Sequence, residues 1–146
     1  MAQETASLEN LTQLQRTYHE HCVMCGAGNQ RSLQLNFTLD ADGAVLASHC
    51  CSAFLQGYPE MLHGGVISSL LDSAMTNCLF AFGHVAVTAK MEVLFRHPVR
   101  VGSDFTVRAW RTDTPVPGSL FNVRAEIRQD DRPVAQAKAL FVRKQQ

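Results

Sequence analysis

The sequence predicts an α+β fold, in which an antiparallel sheet is wrapped around one long central helix and a short helix comes first. Two observations support this prediction. Apolar residues recur at helical spacing over one long stretch, residues 66–82, whereas the segments on either side alternate apolar and polar residues. The predicted order is two strands, a long helix and four strands, and the apolar stripe of one helix can cover one face of such a sheet.

A short amphipathic helix is expected near the start of the chain, with Ser7 as its cap. The apolar residues that share its helical spacing are Leu8, Leu11, Leu14 and Tyr18. After a loop at residues 25–29, two alternating segments, 33–39 and 45–51, flank Asp40-Ala41-Asp42-Gly43 and predict a β-hairpin. Residues 52–62 are expected to form a loop that leads into the central helix.

The central helix lacks a charged face. Between Glu60 and Lys90 the only formally charged residue is Asp72. The face opposite the apolar stripe carries small uncharged residues, namely Ser69, Ser73, Thr76 and Asn77. We therefore expect the helix to be covered on all sides, so that its carboxylate needs either partners or a function. Gly83 is a typical C-terminal stop for the helix.

Four strands are predicted after the helix. Residues 85–95 keep a strict period of two until His97-Pro98. Further alternation occurs at residues 105–109, 121–127 and 135–141, separated by the turn-forming run 114–118 and by Asp130-Asp131. We divide the chain into an N-terminal helical segment, residues 1–20, and a single domain, residues 21–146.

Composition narrows the classes of function. The 146 residues suit one domain, and the net charge is zero with scattered Lys and Arg, which argues against nucleic acid or an anionic membrane as partner. No apolar run approaches the roughly 20 residues that span a bilayer. Residues 1–20 have no apolar centre, so we expect no secretory signal, a cytoplasmic location, and five cysteines present as thiols.

Several motifs surround the central helix. His63-Gly64-Gly65 opens it, Leu70-Leu71-Asp72 stands within it, and Phe54-Leu55-Gln56-Gly57-Tyr58-Pro59 precedes it. Residues 88–95, Pro98-Val99 and Gly102 follow it, and Cys22-Val23-Met24-Cys25-Gly26 precedes the first strand. Over roughly residues 20–143 this pattern resembles the hotdog fold and, more narrowly, the PaaI-like acyl-CoA thioesterases.

Asp72 is the candidate nucleophile or general base. A carboxylate in a dry pocket suits either attack on a thioester carbonyl or activation of a water, and the alternative is a structural acid bonded to a neighbouring loop. The helix start at Gly64 and Gly65 offers N–H groups to a developing oxyanion, or else serves tight packing. The resemblance implies an acid at Asp72 and an amide of Gly64 that donates to the thioester oxygen, with Gly65 as a further substrate contact.

The resemblance also implies three supporting residues. His63 orients substrate in some relatives, and it is otherwise a general acid or a cap. Thr88 stands sixteen positions after Asp72, where several relatives place a Ser or Thr that touches the nucleophile or its water, although an ordinary strand Thr is equally expected. Many relatives carry an Asn or Gln fifteen positions before the acid; that place holds Gly57 here, and the adjacent Gln56 is the candidate substitute for substrate binding.

Two other groups of residues are considered. Arg96, with Lys90 and Arg100, is a candidate for neutralising the phosphates of coenzyme A, or these residues are simply solvated. His19, His21, Cys22 and Cys25, with Cys50-Cys51, invite a zinc interpretation. A single Cys-x-x-Cys is only half of a tetrahedral site, so we expect no metal site and no dissociable cofactor.

The sequence thus predicts an acyl-CoA thioesterase that converts acyl-CoA and water into a free acid and CoA. The alternatives are a hydratase or dehydratase on the same fold and a non-catalytic module that binds acyl thioesters. Gly64 and Asp72 are eight residues apart, about 12 Å along a helix. Unless the chain bends sharply, one carbonyl cannot reach both within one chain, so we expect a homodimer, or a dimer of dimers, with sites at the subunit interface.

Overall fold

The computed structural model describes residues 4–112 and 119–145. The expected turn at residues 114–118 lies outside them. The elements in chain order are α1 (Leu8–Tyr18), β1 (Thr38–Leu39), β2 (Val45–His49), a 3₁₀ turn (Ala53–Leu55), α2 (Gly64–Ala81), β3 (Ala86–Phe95), β4 (Phe105–Arg111), β5 (Leu120–Gln129) and β6 (Arg132–Arg143). The predicted fold class is therefore confirmed.

The strands form one antiparallel sheet in the order β1-β2-β4-β5-β6-β3, and α2 packs across it. β4, β5 and β6 alternate buried and more exposed residues, so that one face of each strand contributes to the core against α2. The β5–β6 hairpin turns on Asp130 and Asp131, whose φ angles of 54° and 60° give the two-residue type I′ geometry that matches the strand twist.

The first predicted strand is much shorter than expected. Leu33 and Leu35 donate their amide N–H groups to the carbonyls of Val23 and Met24, at 2.9 and 3.0 Å, instead of to a sheet strand. Gln34 between them has a φ of 57°, which interrupts an extended conformation. Only Thr38–Leu39 pairs with β2, although the hairpin itself is confirmed.

A β-bulge breaks the alternation that the sequence predicts for β3. The pairing with β6 runs Thr88 to Phe141 and then Lys90 to Leu140, so Ala89 is an extra residue without a partner. Residues directly opposite in an antiparallel pair share a face. Thr88 therefore lies on the same inner face as Met91, although an unbroken period of two would place the two on opposite faces.

The central helix is covered only over its C-terminal half. There α1 packs on the side away from the sheet, with the Ser7 amide bonded to the Ala81 carbonyl at 2.8 Å and the Gln15 amide bonded to Asn77 Oδ1 at 2.6 Å. In the N-terminal half Gly64, Gly65 and Ser69 are exposed. Within a single chain the first two turns of the helix are therefore uncovered, and the expected cover stays a prediction for an assembly with a partner subunit.

Among the described residues no helix combines the length and the apolar character that crossing a membrane requires.

Candidate functional site

His63 organises the start of α2 as its N-cap. Its ring Nδ1 accepts a hydrogen bond from the Gly65 amide at 2.8 Å, and its carbonyl accepts from the amides of Val66 and Ile67 at 2.9 and 3.0 Å. The Gly64 amide is the one N–H group of this first turn with no acceptor among the described residues. A neutral His63 that accepts at Nδ1 carries its proton on Nε2.

Two glycines make room for the His63 ring. A Cβ on Gly65 would lie 3.1 Å from Nδ1 of the ring, and a Cβ on Gly57 would lie 3.3 Å from its Cδ2. Both distances are shorter than ordinary packing allows, so neither position accepts a side chain without displacing the imidazole. Gly57, which stands where relatives carry an amide, thus has a packing function of its own.

Asp72 and Thr88 meet on the open side of α2. Asp72 stands one turn before Thr76, is half-buried, and accepts a hydrogen bond at Oδ1 from the Thr88 hydroxyl. Its Oδ2 makes no hydrogen bond within the described parts of the chain. The bulge at Ala89 is what turns Thr88 towards the helix, so the contact depends on that irregularity in β3.

The two candidate groups on α2 lie apart. Gly64 is at the first helical position and Asp72 is eight residues later, about 12 Å along the axis. The structure therefore brings together Gly64, Gly65 and His63 at one place and Asp72 with Thr88 at another. A single reacting group that used both sets, each within about 3 Å, would not span them in one chain.

A cavity of about 600 Å³ lies at the start of α2, between the loop before the helix and the segment after β3. Its lining is mostly apolar and consists of Gly57, Tyr58, Met61, Leu62, His63, Gly64, Ile67, Phe95, Arg96, His97, Pro98 and Val99. The Gly64 side of the candidate site opens into this cavity, whereas Asp72 and Thr88 do not line it.

The remaining candidate residues lie in different surroundings, and only one of them lines the cavity. Gln56 Oε1 accepts from the Glu60 amide at 3.1 Å, which stabilises a turn in which Glu60 has a φ of 67°. Arg96 lines the cavity while its Nε donates to Gln136 Oε1 at 2.7 Å. Arg100 is paired with Asp130 at 2.6 Å, and this hydrogen bond raises the pKa of Arg100 and lowers that of Asp130.

A second cluster of reactive side chains, considered from the sequence but not expected to bind a metal, lies at the end of α1. His19, Cys22 and Cys25 place one ligand atom each within 4.8 Å of one another, and neither cysteine is disulfide-bonded. The Cys25 thiol donates to the Cys22 sulfur, which lowers the pKa of Cys22 and correspondingly raises that of Cys25. The missed signal is the regular spacing His-x-x-Cys-x-x-Cys.

A family model described as the thioesterase superfamily matches residues 60–136, which is more than half of the chain. The chain belongs to the thioesterase superfamily. Its fold is the hotdog fold of the PaaI-like proteins, as the resemblance in sequence implied.

Solved structures agree with this assignment of the fold. The Escherichia coli PaaI protein from the phenylacetic acid degradation operon superposes with a TM-score of 0.78 at 19% identity, covering 94% of this chain and 95% of that one. A thioesterase superfamily protein gives a TM-score of 0.78 at 23% identity; the match covers 84% of this chain but only 63% of that longer one. A Streptococcus mutans UA159 protein bound to acetyl CoA gives 0.67 at 18% identity, covering 75% and 89%.

Proposed function

We propose that this protein is an acyl-CoA thioesterase, which hydrolyses an acyl-CoA to a free acid and CoA. The observation that carries the proposal is the Asp72 carboxylate, which is fixed at one oxygen by Thr88 on the uncovered side of α2. Membership of the thioesterase superfamily supports the reaction class, and the acetyl-CoA-bound S. mutans protein of similar fold supports the substrate class.

The residues divide the chemistry between them. The unpartnered Gly64 N–H, at the positive end of a helix, donates to the thioester oxygen and stabilises its developing charge. Asp72 attacks the carbonyl carbon or removes a proton from the attacking water, while Thr88 holds the carboxylate in orientation. The 600 Å³ cavity beside Gly64 has a mostly apolar lining that suits an acyl or aryl group, with Arg96 at its wall.

The complete site requires two subunits. Gly64 of one subunit faces Asp72 of the other across a two-fold axis, so each dimer holds two sites. Two surface features support this arrangement: the first turns of α2 are uncovered, and β3 is an edge strand with exposed apolar residues. Those residues are Val87, Leu94 and Phe95, each about half exposed. A dimer, or a dimer of dimers, covers both surfaces.

Thiol release from a panel of acyl-CoAs tests the activity, with Asp72→Asn as the decisive variant. This near-isosteric change keeps an acceptor for Thr88 but removes both nucleophile and base, so turnover should fall by roughly three or more orders of magnitude. Asp42→Asn, in the β1–β2 turn at the far edge of the sheet, is the matched control and should retain wild-type rates.

Near-normal turnover in folded Asp72→Asn protein would contradict the mechanism. Binding of acyl-CoA without turnover by the wild-type protein would identify a non-catalytic binding module instead, and addition or loss of water at the acyl chain would identify a hydratase or dehydratase.

Complementation tests the two-subunit site separately. Asp72→Asn and Gly64→Pro each remove one half of every site, so each homodimer should be inactive. In a heterodimer one site combines the two intact halves. With random pairing, about half of the dimers are mixed and each has one of two sites, so about a quarter of wild-type activity should return. Verified heterodimers without recovered activity would mean that each site lies within one chain.

A further inference from the structure

The end of α1 and the turn that follows bring together three metal-binding side chains, none of which belongs to the proposed thioesterase site. His19 is the C-cap of α1, and Cys22 and Cys25 follow at three-residue intervals. One ligand atom from each residue lies within 4.8 Å of the other two, and all three residues are half-buried. The sequence-based expectation of no metal rested on two ligands, whereas the fold supplies three.

The spacing of these atoms fits a tetrahedral ion. A zinc ion lies about 2.3 Å from a thiolate sulfur and about 2.0 Å from an imidazole nitrogen, which at the tetrahedral angle puts sulfur and nitrogen about 3.5 Å apart. The observed separation of Cys25 Sγ and His19 Nδ1 is 3.8 Å. Every pair of ligand atoms lies within 4.8 Å, so the side chains need to close by about 1.3 Å at most to seat the ion.

The backbone holds the turn in this shape without any ion. The Gly26 amide bonds to the Cys22 carbonyl at 2.9 Å, and the Cys22 amide bonds to the His19 carbonyl at 3.1 Å. The Met24 amide points at Cys22 Sγ, 3.3 Å away, as suits a sulfur that carries negative charge. A Cβ on Gly26 would lie 2.3 Å from the Cys22 nitrogen, so this fold of the chain requires glycine.

A buried hydroxyl without a partner gives an independent indication. Ser73 Oγ, on α2, is the one buried side-chain oxygen or nitrogen in the described residues that makes no hydrogen bond, and Ser73 is only 5% exposed. Its hydroxyl lies close enough to the Cys25 sulfur to oppose the rise in the pKa of that thiol, although the two atoms do not reach the geometry of a full hydrogen bond. The Asn77 amide, one turn later, donates to the same sulfur at 3.7 Å. Buried hydroxyls normally find partners, so Ser73 indicates a group that completes the cluster.

We propose that His19, Cys22 and Cys25 bind a Zn²⁺ ion, with a water at the fourth position that is hydrogen-bonded to Ser73. Two thiolates and an imidazole select a soft or borderline ion over Mg²⁺ or Ca²⁺, which prefer oxygen ligands. Asn77 supports one of the ligating sulfurs from outside the coordination sphere. The ion fixes the end of α1 and its turn onto α2, so it stabilises the fold and takes no part in thioester hydrolysis.

Elemental analysis of protein purified without chelator tests the site. We expect about one zinc per chain in the wild type, and less than a tenth of that in Cys22→Ser and Cys25→Ser. Cys50→Ser is the matched control, because Cys50 is exposed and outside the cluster, and it should retain full occupancy. Replacement of zinc by Co²⁺ should give the visible absorption of a tetrahedral thiolate complex. Zinc-free protein that binds neither ion under reducing conditions would overturn the proposal.

Thiol mapping of the wild-type protein keeps the test decisive if the variants fail to fold. With the ion bound, Cys22 and Cys25 should resist alkylation while Cys50 reacts, and a chelator should abolish the protection and lower Tm. Equal alkylation of all three with and without chelator would overturn the proposal. So would a Cys22–Cys25 disulfide in protein prepared with reductant, because the oxidised pair cannot ligate the ion.

Discussion

Replacing Gly64 by proline removes one N–H group from the start of α2 with little disturbance of its surroundings. Gly64 is the first helical residue, a position that favours proline. His63 before it has φ −61° and ψ 137°, which is the conformation that a residue preceding proline prefers. A Cβ at position 64 would lie 3.6 Å from Phe95 Cε1, an ordinary contact. Gly64→Ala adds the same Cβ but retains the N–H, so it is the matched control.

The expected changes in Tm and kcat follow from the role of the Gly64 N–H group. Because it has no acceptor among the described residues, its loss breaks no hydrogen bond of the folded chain. Both substitutions also lower the conformational entropy of the unfolded chain, so Tm should stay level or rise slightly. Loss of one oxyanion donor typically costs about 10²–10³-fold in kcat, roughly 2.7–4 kcal/mol of transition-state stabilisation. We expect that decrease in Gly64→Pro, and a decrease of less than about fivefold in Gly64→Ala.

Steady-state thiol release on the best substrate of the panel measures the difference, with thermal melting and size-exclusion chromatography to verify folding and assembly. If the proline variant melts and assembles like the alanine variant and also matches its kcat, the Gly64 amide is not the oxyanion donor. Equal and large losses in both variants would instead mean that the Cβ itself obstructs the site.

Three further predictions concern other parts of the chain. Thr88→Val should lower kcat about 10–100-fold because the Asp72 carboxylate loses its hydroxyl donor, whereas Thr88→Ser should stay near wild type; equal rates in all three proteins would contradict this. Gly26→Ala should destabilise the fold by more than about 2 kcal/mol in urea unfolding because its Cβ meets backbone, whereas Gly102→Ala, with φ 76° and open space, should lose only about 1–2 kcal/mol. Asp131→Gly should raise Tm by about 2–4 °C because glycine accepts a φ of 60° without strain, and an unchanged Tm would refute that reason.

The sequence predicts the parts of this fold that local interactions determine. Helix α2, its start at His63 and its end before Gly83 follow from periodicity and from residues that cap a helix wherever it packs. The hairpins follow in the same way from turn residues between alternating segments. For the candidate site, Asp72 is evident from its isolation among uncharged residues, and the resemblance to a family then supplies a role.

The sequence does not predict features that depend on a distant partner. Nothing in the alternation around Ala89 marks a bulge, because the extra residue is defined only by the register with β6. Residues 33–37 alternate like a strand, yet their amides find acceptors in the segment around Val23. His19 was considered beside the cysteines. The sequence alone, however, does not show that the turn after α1 folds back so that His19, Cys22 and Cys25 form one cluster.

The position of β3 at the margin of the sheet has a consequence for the newly made chain. Within the part of the chain that the structure describes, no neighbouring strand pairs with the N–H and C=O groups on its outer rim, and apolar side chains stand beside them. Such a rim can pair with any extended peptide, including β3 of another copy of this chain or a strand of a damaged protein. The charged side chains of Lys90 and Glu92 and the nearby bulge make strand pairing at that rim less favourable. A chain that has not yet paired with the proposed partner subunit should therefore be more prone to aggregation and to chaperone capture than its core packing alone would indicate.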